Sequence, residues 1–175
     1  MNTYECNFDL DIKDRAMLLS LATQLDYDVY ITNKGTTTGL NYTSTVRNVP
    51  VTGVVKKLIS MLNSDINFTG AVFVHFFPND SIFPHSDDDS LRASCITWAL
   101  APSINNFAPV NYYTECNEEA YEETVYYSKK PLIINTSNYH SVHNNNFNRY
   151  TFQLCSNDPI EKLVELDKKN ELFSI

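Results

Sequence analysis

His85-Ser86-Asp87 sets an imidazole and a carboxylate two residues apart. On an extended segment residues i and i+2 project from one face, so this pair delivers a nitrogen and an oxygen to a single point. His140, far downstream, is the candidate for a second imidazole arriving from another strand. Two imidazoles and one carboxylate on one side of a metal suit a mononuclear Fe(II) centre and leave its other side open for a chelating ligand and O2. The segment from Arg149 to Cys155 alternates: Arg149, Thr151, Gln153 and Cys155 share one face, and Tyr150, Phe152 and Leu154 share the other. The polar face is expected to look inward. A planar guanidinium fork beside a hydroxyl matches a carboxylate.

At these residues the chain resembles a 2-oxoglutarate/Fe(II)-dependent oxygenase of the double-stranded β-helix type, in the manner of a small phage or microbial member. The resemblance covers about residues 70 to 156. It rests on His-x-Asp, a distal His, and an Arg shortly beyond it with a Thr two residues on. The run His140-Ser141-Val142, with Asn144 and Asn145 ahead of the Arg, adds to it. What it implies is that His85, Asp87 and His140 ligate Fe(II), while Arg149 and Thr151 hold the far carboxylate of 2-oxoglutarate. The keto oxygen and near carboxylate of that co-substrate would chelate the iron, with O2 as the second co-substrate. Many relatives have a Gly before the strand that precedes the distal His. Here Lys130-Pro131 stands in that place, which leaves the start of the strand open.

Two further residues take a role only through the resemblance. Thr97 shares a strand face with Cys95 and Ala99, opposite Ile96, Trp98 and Leu100, and is a candidate extra contact of the co-substrate or else an ordinary strand threonine. Arg92 follows the His-x-Asp closely, as an Arg does in proteins resembling aspartyl/asparaginyl and prolyl hydroxylases. It would meet a substrate carboxylate or backbone, or else pair with Asp87, Asp88 or Asp89. Because a chain this small has little room for lids, the substrate is expected to be a peptide or protein side chain or an amino-acid-like small molecule. The alternatives are a non-catalytic β-helix binding or structural protein, such as a viral accessory module, and a cupin-like metal protein with another reaction.

Several residues compete with these assignments. His143, three residues past His140, should point to the opposite face of a strand and lies nearer Arg149 than the family pattern prefers. Asp88 and Asp89 read as a solvated acidic loop. His75, within Val72-Phe73-Val74-His75-Phe76-Phe77, reads as a core histidine.

The 175 residues suffice for one domain with a substantial core. Eleven Tyr and ten Phe against only four Gly favour a β-rich chain. A net charge of -8 offers no basic footprint for a phosphate backbone, so nucleic acid is not an expected partner. Cys6, Cys95, Cys116 and Cys155 show neither a C-x-x-C pair nor zinc spacing and read as reduced thiols. No apolar run is long enough to span a bilayer, and the N-terminus lacks a basic region followed by an apolar one. Together these features predict a soluble cytoplasmic protein. The Asn-rich, Gly-poor composition hints at an AT-rich phage or microbial genome. No residue pattern fixes an oligomeric state.

The elements needed to position the site follow from periodicity. Asp11 is a plausible N-cap for a helix through Leu25 with a stripe of Ile12, Ala16, Leu19 and Ala22 or Thr23. Thr52 caps a second helix to Leu62, after a polar stretch from Asn33 to Asn48 expected to be a hairpin or mobile loop. Eight strand segments follow from Asn67 to Cys155, with the acidic stretch from Glu115 to Glu123 as either a loop over the site or a solvated turn. A last helix starts at Pro159 and runs to about Leu172. The expected layout is helical support over residues 1–66, a double-stranded β-helix (jelly-roll, cupin-like) core over 67–156, and a C-terminal helix over 159–172.

Overall fold

The computed structural model describes residues 1–25, 28–31, 42–45, 53–87 and 92–174. Its elements run β1 (Thr3–Glu5), α1 (Ile12–Gln24), β2 (Asp28–Ile31), β3 (Tyr42–Thr45), α2 (Gly53–Met61), β4 (Phe68–Phe76), β5 (Ser81–His85), β6 (Ser94–Ala101), β7 (Val110–Tyr113), β8 (Tyr121–Val125), β9 (Leu132–Asn135), β10 (Tyr139–His143), β11 (Arg149–Ser156) and α3 (Ile160–Lys168). The larger sheet has the order β1-β9-β6-β11-β4-β3-β2, and the smaller β5-β10-β7-β8. Strands β4 to β11 therefore divide four and four between two antiparallel sheets, which is a double-stranded β-helix. They correspond to the eight segments expected from alternation. Thr52, Asp88 and Asp89, and most of the stretch from Asn33 to Asn48, lie outside the described residues. Within that stretch β3 pairs antiparallel with β2.

Period-2 alternation sorts side chains into two cores. On one face of the larger sheet Phe73, Ile96, Trp98, Phe152 and Leu154 are buried with Leu18 and Ala22 of α1, Val54, Val55 and Leu58 of α2 and Ile160, Leu163 and Val164 of α3. On the other face, Val74 and Ala99 join Ile82, Val110, Tyr112 and Val142 of the smaller sheet in the inter-sheet core. The register Thr151↔Val74 and Thr151↔Ala99 puts Thr151 on that inner face, and Arg149, Gln153 and Cys155 with it. The polar face of β11 thus looks between the sheets.

Three local features depart from periodicity. β1 has only three residues, too few to show a pattern, and docks as an edge strand on β9 through Thr3↔Ile134 and Glu5↔Leu132. The helix α1 begins after Asp11, whose side chain accepts from Asp14 N, but it is rotated from the expected stripe. Leu18 and Ala22 are buried, whereas Ile12 is 89% exposed. The cause is Arg15, which donates from Nη1 to Ala99 O (2.6 Å) and from Nη2 to Lys129 O (2.5 Å), tying that face of the helix to the sheet. Arg15→Ala should therefore lower stability by about 1–3 kcal/mol, since two charge-assisted hydrogen bonds are lost. The urea midpoint, followed by fluorescence of the single Trp98, should fall with no change in slope. Finally, α3 stops at Lys168, short of Leu172, because Asn170 takes a left-handed φ of 59°. Leu172 and Phe173 then fold back into the outer core. Among the described residues no helix is long and apolar enough to cross a membrane.

Candidate metal centre

His140 of β10 sits directly opposite His85 of β5 on one side and Tyr112 of β7 on the other. Asp87 follows just past the end of β5, where its backbone N–H donates to Thr136 O (2.9 Å). One ligand atom from each of His85, Asp87 and His140 lies within 4.8 Å of the others, and His85 Nε2 is 3.7 Å from Asp87 Oδ1. The same local device orients both imidazoles. His85 Nδ1 donates to Phe83 O (2.9 Å) and His140 Nδ1 to Asn138 O (2.9 Å), each a carbonyl two residues upstream. That bond fixes the tautomer and leaves the Nε2 lone pair for a metal. Burial and the neighbouring His140 push His85 down to about 4, so it presents a neutral nitrogen at neutral pH. Two imidazole nitrogens, each oriented from behind by a backbone carbonyl, and a carboxylate are a donor set that fits Fe(II).

The competing residues are placed elsewhere. His143 is exposed, with Nδ1 3.2 Å from Ser81 Oγ and Nε2 3.6 Å from Glu118 Oε1. His75 is buried on the opposite face of β4 from Val74 and Phe76. It stacks on Tyr150 at 4.3 Å with its Nε2 2.9 Å from Asn148 Oδ1. The acidic stretch forms a 3-10 turn at Glu118–Ala120 and the start of β8, and Cys116 Sγ donates to Pro84 O (3.0 Å). Arg92 Nη1 lies 3.4 Å from Asp87 Oδ2, so of the two readings of Arg92 the observed contact is the ion pair with the ligand carboxylate.

The inner face of β11 forms a second, connected site. Asn144 Nδ2 donates to Phe77 O (2.7 Å) and Phe147 O (2.8 Å), pinning the turn that leads into Arg149. Arg149 is only 2% exposed, and its guanidinium carbon lies 4.7 to 5.3 Å from the ring centroids of Phe107, Phe76 and Tyr127. Its guanidinium donates from Nη2 to Tyr127 Oη (3.1 Å). Among the described residues no carboxylate pairs with it. Arg149 Nε, Thr151 Oγ1, Thr97 Oγ1 and Gln153 Oε1 are all buried without a hydrogen-bond partner among the described residues. Burial weakens the hold of Arg149 on its proton, as expected for a cation lacking a counter-charge. Such a set of groups is complementary to a small anion that also accepts from hydroxyls.

Sequence reasoning missed Tyr127, Tyr112 and Phe107. Alternation puts Tyr127 at the end of a strand segment from Glu123 to Tyr127, whereas β8 stops at Val125, and Phe107 follows a 3-10 turn and carries no strand period. Tyr112 is fully buried beside His140, with its hydroxyl donating to Asn2 O (3.1 Å) and Asn135 O (3.2 Å). Alternation within β7 was the one signal available for it.

Acid should destabilise the metal-free protein through its buried histidines. Burial lowers both His85 and His75 below the ordinary value of 6.5. Between the folded and unfolded values the unfolded chain binds more protons, so stability is complete above about pH 6.5 and declines as pH falls toward about 4. Urea midpoints should be level from pH 8 to 7 and drop at pH 5. A midpoint that rises on acidification would contradict burial of neutral imidazoles.

No family model and no curated protein matches the sequence. Solved structures do match. A prolyl hydroxylase from Trichoplax adhaerens, in complex with a peptide fragment of the hypoxia inducible factor oxygen degradation domain, superposes with a TM-score of 0.61 at 14% identity, covering 92% of this chain and 84% of that one. A Pseudomonas putida prolyl-4-hydroxylase gives 0.60 at 11%, covering 88% and 91%. The viral collagen prolyl hydroxylase of Paramecium Bursaria Chlorella virus-1, solved as its 2-oxoglutarate complex, gives 0.54 at 11%, covering 89% and 96%. The chain thus has the double-stranded β-helix fold of the 2-oxoglutarate/Fe(II)-dependent oxygenases.

Proposed function

We propose that this protein is an Fe(II)- and 2-oxoglutarate-dependent dioxygenase that hydroxylates a peptide or protein side chain or an amino-acid-like small molecule. The observation that carries the reading is Arg149, a buried cation without a carboxylate partner among the described residues, aligned with Thr151 on the inner face of the sheet opposite the His85, Asp87 and His140 cluster. Fe(II) held by those three side chains would supply O2 activation coupled to oxidative decarboxylation of 2-oxoglutarate to succinate and CO2. Arg149, Thr151 and Tyr127 bind the far carboxylate of the co-substrate and neutralise it in a site closed to water. Thr97 and Gln153, one strand pair further along, offer hydroxyl and amide groups to the rest of the molecule. Phe83 and Asn138 carbonyls keep both imidazoles in the ligating tautomer. Arg92 steadies the Asp87 carboxylate and, being 31% exposed, remains open to a substrate carbonyl or carboxylate. None of the four cysteines forms a disulfide, which fits a reducing cytoplasmic setting.

The test is anaerobic titration of the metal-free protein with Fe(II) and then 2-oxoglutarate, following the weak visible charge-transfer band of a chelated oxo-acid. Oxygen is then admitted and succinate assayed. A band followed by slow succinate release supports the oxygenase reading. No band, and no protection against urea by either ligand, overturns it in favour of a non-catalytic β-helix protein.

A further inference from the structure

We propose that Cys95 and Cys155 form an oxidisable dithiol in the floor of the inter-sheet site, closing under peroxide to a disulfide that links β6 to β11. The two residues face each other in register across the antiparallel pair, and Cys95 Sγ donates to Cys155 Sγ at 3.3 Å. Directly opposed residues in such a pair have Cα atoms about 4.5–5.5 Å apart, within the range of about 4.4–6.8 Å that a disulfide spans. Bond formation at about 2.05 Å needs the sulfurs to approach by little more than about 1 Å. Their side chains occupy the inner face, one strand step beyond Thr97 and Gln153, whose buried polar atoms have no partner.

The other two thiols have no such neighbour. Cys6 Sγ donates to Asp167 Oδ1 (2.9 Å) on the far side of the larger sheet, where burial and that carboxylate push its pKa up and keep it inert. Cys116 donates to a backbone carbonyl. Between the paired thiols, the hydrogen bond from Cys95 lowers Cys155, while burial raises Cys95. With the sulfurs 3.3 Å apart, the thiolate of one takes one oxygen of hydrogen peroxide, breaking the O–O bond, and the departing hydroxide gains a proton to leave as water. The other sulfur then attacks the sulfenic acid, forming the S–S bond and expelling the second water. Two thiols and one peroxide thus give one disulfide and two waters, with the sulfurs oxidised and the peroxide reduced.

This inference does not rest on the oxygenase reading, and its test needs neither iron nor 2-oxoglutarate. The metal-free protein is treated under native conditions with hydrogen peroxide and, in parallel, with diamide. It is then denatured, alkylated and mapped by peptide mass spectrometry. The expected result is one linked peptide joining Cys95 to Cys155, reversed by dithiothreitol, with Cys6 and Cys116 recovered as alkylated thiols. The linked peptide should be absent from C95S and from C155S. Recovery of Cys95 and Cys155 as alkylated thiols after both oxidants overturns the proposal, as does a linkage that uses Cys6, Cys116 or a second chain.

Discussion

Arg149→Met is expected to weaken 2-oxoglutarate binding by about 30-fold or more and, at the same time, to make the ligand-free protein more resistant to urea. The two effects have one cause. Arg149 is 2% exposed and faces the rings of Phe76, Phe107 and Tyr127, the last of which also accepts from its Nη2, with no carboxylate partner among the described residues. Taking a lone cation out of water costs several kcal/mol, and aromatic faces return only part of it, about 2 kcal/mol. A methionine fills a similar volume without that cost, so the apo protein gains stability. Binding moves the other way, because the pocket loses its planar donor fork. Truncating one side of a buried charge pair costs about 2–5 kcal/mol, so affinity should fall by about 30-fold or more. Calorimetry with Mn(II) in place of Fe(II) measures the affinity without turnover. In wild type, 2-oxoglutarate at about 100 times its Kd should add about 2.7 kcal/mol of stability, and in Arg149→Met the same concentration should add about 0.9 kcal/mol or less. Unchanged affinity sinks the assignment of Arg149. Lower apo stability would show that Tyr127 and the rings already compensate the charge, removing the argument for a missing anion.

The residues that were legible in the sequence are those whose placement follows from local geometry. A His-x-Asp on an extended segment converges whatever surrounds it, and the alternation from Arg149 to Cys155 assigns an inner face to every second residue. The N-cap at Asp11 is equally local, whereas Pro159, read as the first residue of the last helix, stands one position ahead of α3. The parts that were not legible depend on through-space partners. Tyr127 matters because β8 ends two residues earlier and its ring turns onto Arg149, which no pattern encodes. The rotation of α1 is set by Arg15 finding two carbonyls more than eighty residues away, and this overrides the apolar stripe that would have buried Ile12. Arg92 was assigned two partners by sequence, and only the fold shows that Asp87 is within 3.4 Å.

His140→Ala should weaken metal binding far more than His143→Ala, although the two histidines lie three residues apart on one strand. His140 contributes one of the three donors within 4.8 Å of each other, whereas His143 is exposed and meets Ser81 and Glu118. Loss of a supporting group around a metal typically costs about 10–100-fold in affinity, so loss of a ligand itself should cost at least about 100-fold. His143→Ala should stay within about twofold, since it removes only surface contacts with Ser81 and Glu118. Mn(II) or Co(II) titration distinguishes the two without any assay of turnover. The opposite outcome could not be absorbed by a small adjustment of β10. The register pairs His140 with His85 and Val142 with Ile82, and both Val142 and Ile82 belong to the inter-sheet core. Bringing His143 to the metal would slide β10 by an odd number of residues, turning Val142 out of that core and His140 away from Tyr112. Strong dependence on His143 would therefore contradict the strand register and not only the ligand assignment.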